Sequence, residues 1–117
     1  TFFIDEKIDT GNMILQKEIK ILHEENAGQL HDKLMESGAV LITDTLALIQ
    51  EEKVSTTPQK ENNALKPAPK LNKENTRINW EDTIENIHNL IRGLSPYPAA
   101  WTVLLNNTQE MNVKIYS

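Results

Sequence analysis

The chain has 117 residues, with 12 Lys or Arg against 17 Asp or Glu and no cysteine. No apolar stretch approaches the roughly 20 residues that cross a bilayer as a helix. Without cysteine, neither a disulfide framework nor a thiolate metal site is available, and a cytosolic setting is compatible with that.

The formal charge of −5 hides a reversal: −7 over residues 1–52, +4 over 53–77 and −2 over 78–117. Local charge decides polyanion binding as much as the total does. Composition shifts sharply along the chain, which predicts pieces of two domains rather than one compact domain.

Thr1-Phe2-Phe3-Ile4 reads as a strand with nothing ahead of it to pair or cover it, so the sequence predicts a start inside a domain. Asp9-Thr10-Gly11 then reads as a turn. Met13 to Ile21 alternates, with Met13, Leu15, Ile19 and Ile21 on one face and Gln16, Glu18 and Lys20 on the other, which predicts a half-buried strand. Asn26 with Gln29 three residues later is a capping-box pattern. Leu30, Leu34, Leu41, Thr45 and Leu48 recur at helical spacing, predicting a helix from about Ala27 to Gln50. Gly38 costs that helix about 1 kcal/mol relative to alanine, a cost that close packing at this position would justify.

Periodicity disappears from Glu51 to about Ile78. Pro58, Pro67 and Pro69 block regular helix, so residues 53–78 read as a basic linker. Asn79 reads as an N-cap, with Trp80, Ile84, Ile87 and Ile91 as an apolar core stripe and Gly93 as the stop. Beyond Ser95-Pro96-Tyr97-Pro98, two strands are predicted, Trp101 to Leu105 and Met111 to Tyr116, joined by a turn at Asn106-Asn107. Two strands alone do not make a stable sheet, so they must lean on something else. Trp101, Tyr97 and Tyr116 could stack on nucleic acid, but packing in a small barrel is the first reading of them. His23, His31 and His88 share no face and have no carboxylates at ligand spacing, so no metal is expected.

Three stretches in order, "IDTGNMILQKEI", "AGQLHDKLMESGA" and "INWEDTIENIHNLIRGLSPYPAAWTVL", together resemble the methionyl-tRNA formyltransferase family. "APKLNKENTRINW" is similar to that family's approach to its C-terminal domain. The resemblance implies an α/β chain: the last strands and helix of a Rossmann-like formyltransferase domain in residues 1–52, the linker 53–78, and the start of an OB-like β-barrel domain in 79–117. It also implies a cytoplasmic enzyme, monomeric as the parent protein, that transfers a formyl group from 10-formyltetrahydrofolate to the amino group of initiator methionyl-tRNA in bacterial translation initiation.

The family's catalytic Asn, His and Asp map onto this sequence only at the Asp, which is Asp9. In the family the other two sit upstream, near a Ser-Leu-Leu-Pro and Arg-Gly-type segment that binds the cofactor, and none of these is in this sequence, so the chain alone is expected to be inactive. Glu6, Lys7 and Ile8 resemble the edge of the pterin pocket, acting through main chain. Lys66, Lys70, Lys73 and Arg77 would lie along the tRNA acceptor arm and neutralise phosphates, with Lys53 and Lys60 as weaker candidates.

The chemistry gives Asp9 a role independent of the resemblance. An amine attacking a formyl carbon builds an oxyanion and must lose a proton, and a carboxylate held in a turn can orient an imidazole or a water for that transfer. Asp-Thr-Gly is also the signature of aspartic proteases. Those are almost all β and place a sizeable strand region before the motif, whereas only eight residues precede Asp9 and two helical patterns follow it. A non-catalytic tRNA-binding or interaction module is the remaining alternative.

Overall fold

The computed structural model describes residues 1–59 and 66–117; Lys60 lies outside the described residues. The elements are helix α1 (Ala27–Gln50), helix α2 (Ile84–Leu94) and strands β1 (Ala100–Asn106) and β2 (Gln109–Ile115). The chain divides into two compact units, one of residues 1–20 and 33–67 and the other of residues 21–32 and 68–117.

In the first unit the chain does turn back on itself at Asp9-Thr10-Gly11. Phe3 N–H donates to the Asn12 carbonyl at 3.0 Å and Ile14 N–H to the Thr1 carbonyl at 2.9 Å. Met13 also exchanges both of its backbone bonds with Thr57 at 2.8 Å. The expected strands Thr1–Ile4 and Met13–Ile21 are nevertheless not ladders. Pairing is confined to single bridges, Phe2 with Met13 and Met13 with Thr57. The alternating side chains need a partner strand to become a strand, and past Leu15 the described residues supply none. The pattern survives only partly in burial: Met13, Leu15 and Ile19 are half-buried and Gln16, Glu18 and Lys20 exposed, but Ile21, expected on the inward face, is 53% exposed.

Helix α1 matches its predicted bounds because its cap forms as read. Asn26 N–H donates to Gln29 Oε1 and Gln29 N–H to Asn26 Oδ1, each at 3.0 Å, so two of the orphan N–H groups of the first turn are satisfied reciprocally. Thr45 is buried on the inward face, sharing a 2.8 Å hydrogen bond with Thr1 and donating to the Leu41 carbonyl. Leu34, expected in this stripe, is half exposed, and Met35, Val40, Ile42 and Leu46 are each more than half exposed. Nothing lies within 4 Å of where a Cβ would stand on Gly38, so close packing does not account for that glycine.

In the second unit α2 begins at Ile84, later than expected. Asn79 is taken by a local turn, its Oδ1 accepting from Glu81 N–H, and Thr83 becomes the cap by accepting from Asn86 N–H at 3.2 Å. Trp80 and Ile84, predicted in the core stripe, therefore precede or open the helix on its solvent side, 58% and 88% exposed. Gly93 lies within the helix; the stop is Ser95, followed by Pro96, which has no N–H to donate.

The core of this unit is Ile78, Leu94 and Ala100, packed against Ile87, Leu90, Ile91 and Ile115. Strands β1 and β2 pair antiparallel from Ala100 with Ile115 to Asn106 with Gln109. The two-residue connection places Asn107 in the left-handed region at φ 55, which a hairpin turn of this kind requires and Asn tolerates. The opposite edge of β1 is also taken: Ile78 N–H donates to the Trp101 carbonyl at 2.8 Å and Trp101 N–H to the Thr76 carbonyl at 3.1 Å. Residues 68–78, read as the end of the linker, thus pack with this unit, and Thr76 and Ile78 are buried.

Gly38→Ala removes backbone freedom from the unfolded chain at a helix-interior site with open space, so it is expected to stabilise the fold by about 0.5–1 kcal/mol. Urea unfolding monitored by circular dichroism should show a higher midpoint with an unchanged slope; a lower midpoint would mean that the position is packed.

Candidate functional site

The loop from Ile4 to Gly11 owes its shape to three constraints. Asp5 Oδ1 accepts from Thr10 Oγ1 at 2.6 Å and from Lys7 N–H at 3.0 Å, closing the loop across its middle. Gln59 Nε2 donates to the carbonyls of Asp9 at 2.9 Å and Gly11 at 2.8 Å, closing it from outside. Gly11 is buried where a Cβ would stand 1.5 Å from the Phe3 carbonyl oxygen, so no residue with a side chain fits there.

Asp9 itself has φ 58, the left-handed region that Asp enters more readily than most residues. Its main chain is held by Gln59 while its side chain is exposed and takes no hydrogen bond from the described residues. Glu6, Lys7, Ile8 and Asp9, the predicted pterin-edge and catalytic residues, line one small cleft of about 320 Å³ together with Phe2 and Ile4. Asp9 also lines a second cleft, about 310 Å³, with Met13, Leu15 and Leu41. The Lys7 N–H is committed to Asp5, so main-chain contacts to a ligand in the first cleft fall to Glu6 and Ile8.

Sequence reasoning missed Asp5 and Gln59. Asp5 carried a signal, an Asp two residues before the N–H it binds, which is an Asx-turn spacing. Gln59 carried none, because it lies 50 residues from Asp9 and among residues without periodicity.

The basic candidates separate. Lys53 Nζ is paired with Glu51 at 2.8 Å. Lys66 belongs to the first unit, and Lys70, Lys73 and Arg77 to the second. There, Asn72 Oδ1 accepts from the N–H groups of Glu74 and Asn75, and Asn75 Oδ1 accepts from Asn72 N–H, building a tight turn. The turn presents the Lys73 carbonyl to Trp101 Nε1 at 2.7 Å. Lys73 Nζ and Arg77 Cζ then lie 5.0 and 5.4 Å from the Trp101 ring centre. Tyr97 and Tyr116, expected to pack, are 83% and 57% exposed.

His23 and His88, read as unrelated, stack at 5.2 Å in the second unit, with His23 Nδ1 2.6 Å from Glu24. The sequence offered no common face because the two lie on different segments. Among the described residues no group of three or more His, Asp or Glu side chains could hold a metal ion, and no helix is long and apolar enough to cross a membrane.

Two family models match the chain: formyl transferase over residues 1–46, which include the Asp9 loop, and formyl transferase C-terminal domain over residues 70–117. The chain belongs to the formyl transferase family. Among curated relatives it is similar to the methionyl-tRNA formyltransferases of Flavobacterium johnsoniae (57% identical), Flavobacterium psychrophilum (49%) and Bacteroides fragilis (45%), each match covering 99% of this chain. The chain spans 37% of the length of each of these relatives. The aspartic-protease alternative ends here, since the Asp-Thr-Gly turn lies within the formyl transferase match.

The two hydrogen bonds to Asp5, Thr10 first and Lys7 N–H second, hold its carboxyl below the ordinary carboxylate range. The loop closure is therefore complete above the unfolded Asp value of about 3.9 and is lost as pH falls through the lower folded value. Amide exchange of Lys7, corrected for its intrinsic rate, should lose protection only below about pH 4, and Asp5→Asn should abolish that dependence. Protection that does not change with pH would exclude the Asp5 bond as the closure.

Proposed function

We propose that the protein carrying this chain transfers a formyl group from 10-formyltetrahydrofolate to the amino group of methionyl-tRNA, with Asp9 as a catalytic carboxylate. The observation that supports this most is the cleft in which Asp9 meets Glu6, Lys7 and Ile8, inside the segment matched as formyl transferase. The relatives named as methionyl-tRNA formyltransferases supply the substrate class. The reading includes a Rossmann-like domain contributed to by residues 1–52, an OB-like domain in the C-terminal part, a cytoplasmic setting and a monomeric parent.

The proposed chemistry assigns each group a task. Attack of the amine on the formyl carbon makes an oxyanion and a cationic nitrogen, whose proton the exposed Asp9 carboxylate accepts or relays; the oxyanion then collapses, the bond from the formyl carbon to N10 of the donor breaks, and N10 takes up a proton as tetrahydrofolate leaves. Its main chain is fixed by Gln59, so the carboxylate is carried on a held backbone rather than a mobile loop. The donor is a substrate of the reaction. A cleft of about 320 Å³ is at the small end for a ligand site, and suits one edge of a planar ring rather than the whole molecule. Exposed Ile8 offers that ring an apolar side, and Glu6 and Ile8 offer main-chain groups.

Lys66, Lys70, Lys73 and Arg77 neutralise tRNA phosphates in this reading. Support comes from their exposure and from Lys73 and Arg77 gathered on one indole ring.

In the full-length protein, Asp9→Asn keeps a residue suited to the left-handed backbone and removes the base. Turnover in a formyl-transfer assay should fall by about 100-fold or more with tRNA affinity little changed; near-normal turnover would remove Asp9 from the mechanism. Reversing the charge of Lys70, Lys73 and Arg77 together should raise KM for tRNA and reduce the slope of log affinity against log salt by about 3. An unaltered slope would reduce these residues to a spacer.

A further inference from the structure

A second cleft, of about 630 Å³, lies in the second unit between the Asn72–Thr76 turn, the Tyr97–Ala99 segment and strands β1 and β2. Leu71, Val113 and Pro98 give it apolar walls, and its charged lining residues are Lys73 and Lys114, with no carboxylate among the described residues that line it. In a chain of net charge −5 this is a cationic patch of local origin. Each of its aromatic rings carries a cation: Lys73 and Arg77 on Trp101, and Lys114 Nζ 6.0 Å from the centre of Tyr97. Trp101 is anchored through Nε1, whereas Tyr97 is 83% exposed and leaves ring surface open to a ligand.

We infer that this cleft binds an unpaired nucleotide of an RNA strand, its base stacked on Tyr97 and its flanking phosphates held by Lys114 and Lys73. The inference rests on the tRNA reading of Lys73 and Arg77 given above and adds Tyr97, Trp101 and Lys114 to it. Planar rings interleaved with cations match a chain that alternates bases and phosphates. A base inside a duplex keeps both faces against its neighbours, so only an unstacked one reaches Tyr97. An acidic peptide would use the lysines and leave the open ring without a task. Trp101 is a positioning residue, since its indole gathers Lys73 and Arg77 at the mouth of the cleft.

The test uses the full-length protein and two fluorescent probes, an unpaired oligoribonucleotide of about 10 nucleotides and a blunt RNA duplex of equal length, titrated by anisotropy. Tyr97→Leu should weaken the unpaired probe about 10-fold, leave the duplex unchanged, and be rescued by Tyr97→Phe. An unchanged affinity for the unpaired probe, an equal loss for the duplex, or displacement by a polyglutamate peptide as effective as by the unpaired RNA would each overturn the inference. Lys73→Gln with Arg77→Gln separates the two readings. If that double variant weakens both probes while Tyr97→Leu weakens neither, the stacking site is wrong and the tRNA reading stands. If the double variant changes neither probe, the tRNA reading fails instead.

Discussion

Strand β1 has both edges occupied, and the second unit is arranged around that fact. An isolated hairpin is marginal in water, because half of the backbone groups on its outer edges face solvent and its one buried face is small. Here β2 takes one edge, and Thr76 and Ile78 take the other through Trp101. The third segment brings Ile78 into the core beside Leu94 and Ala100, which is where α2 packs. The same bridge fixes Trp101, so the segment that carries Lys73 and Arg77 is positioned by two backbone hydrogen bonds at one residue of β1 rather than by the long side chains themselves.

The Asp9 loop relies on a different kind of constraint. It has no buried apolar cluster of its own and is held by polar contacts to its main chain, from Asp5 within and Gln59 without. Its single hard requirement is Gly11, where the Phe3 carbonyl leaves no volume for a side chain. Polar closure leaves the carboxylate of Asp9 exposed and free of partners among the described residues, which suits the proton transfer proposed for it.

What could be read from the residues divides along the range of the forces involved. The capping box and bounds of α1 are local and form where the pattern put them, and the C-terminal hairpin forms with its turn one residue later than Asn106-Asn107, since Asn106 pairs with Gln109. The late start of α2 is also local, but two polar residues compete for the cap, and Thr83 rather than Asn79 wins. Alternation at Met13–Ile21 failed as a strand because pairing is a property of two segments, and the pattern of one does not provide the other. The role of Gln59 and the meeting of His23 with His88 are likewise long-range. The grouping of Glu6, Lys7, Ile8 and Asp9 was legible because they are neighbours in sequence, and Trp101 as an organiser of cations was not, because its partners lie more than 20 residues away.

The outward side of α1 has a consequence for handling the chain. Met35, Ile42, Leu46 and Ile49 recur at helical spacing and are 43–60% exposed, with Val40 beside them. Water in contact with such a stripe is released when two of them meet. The longest element therefore carries an apolar strip through which chains can associate, opposing the mutual repulsion that the net negative charge provides.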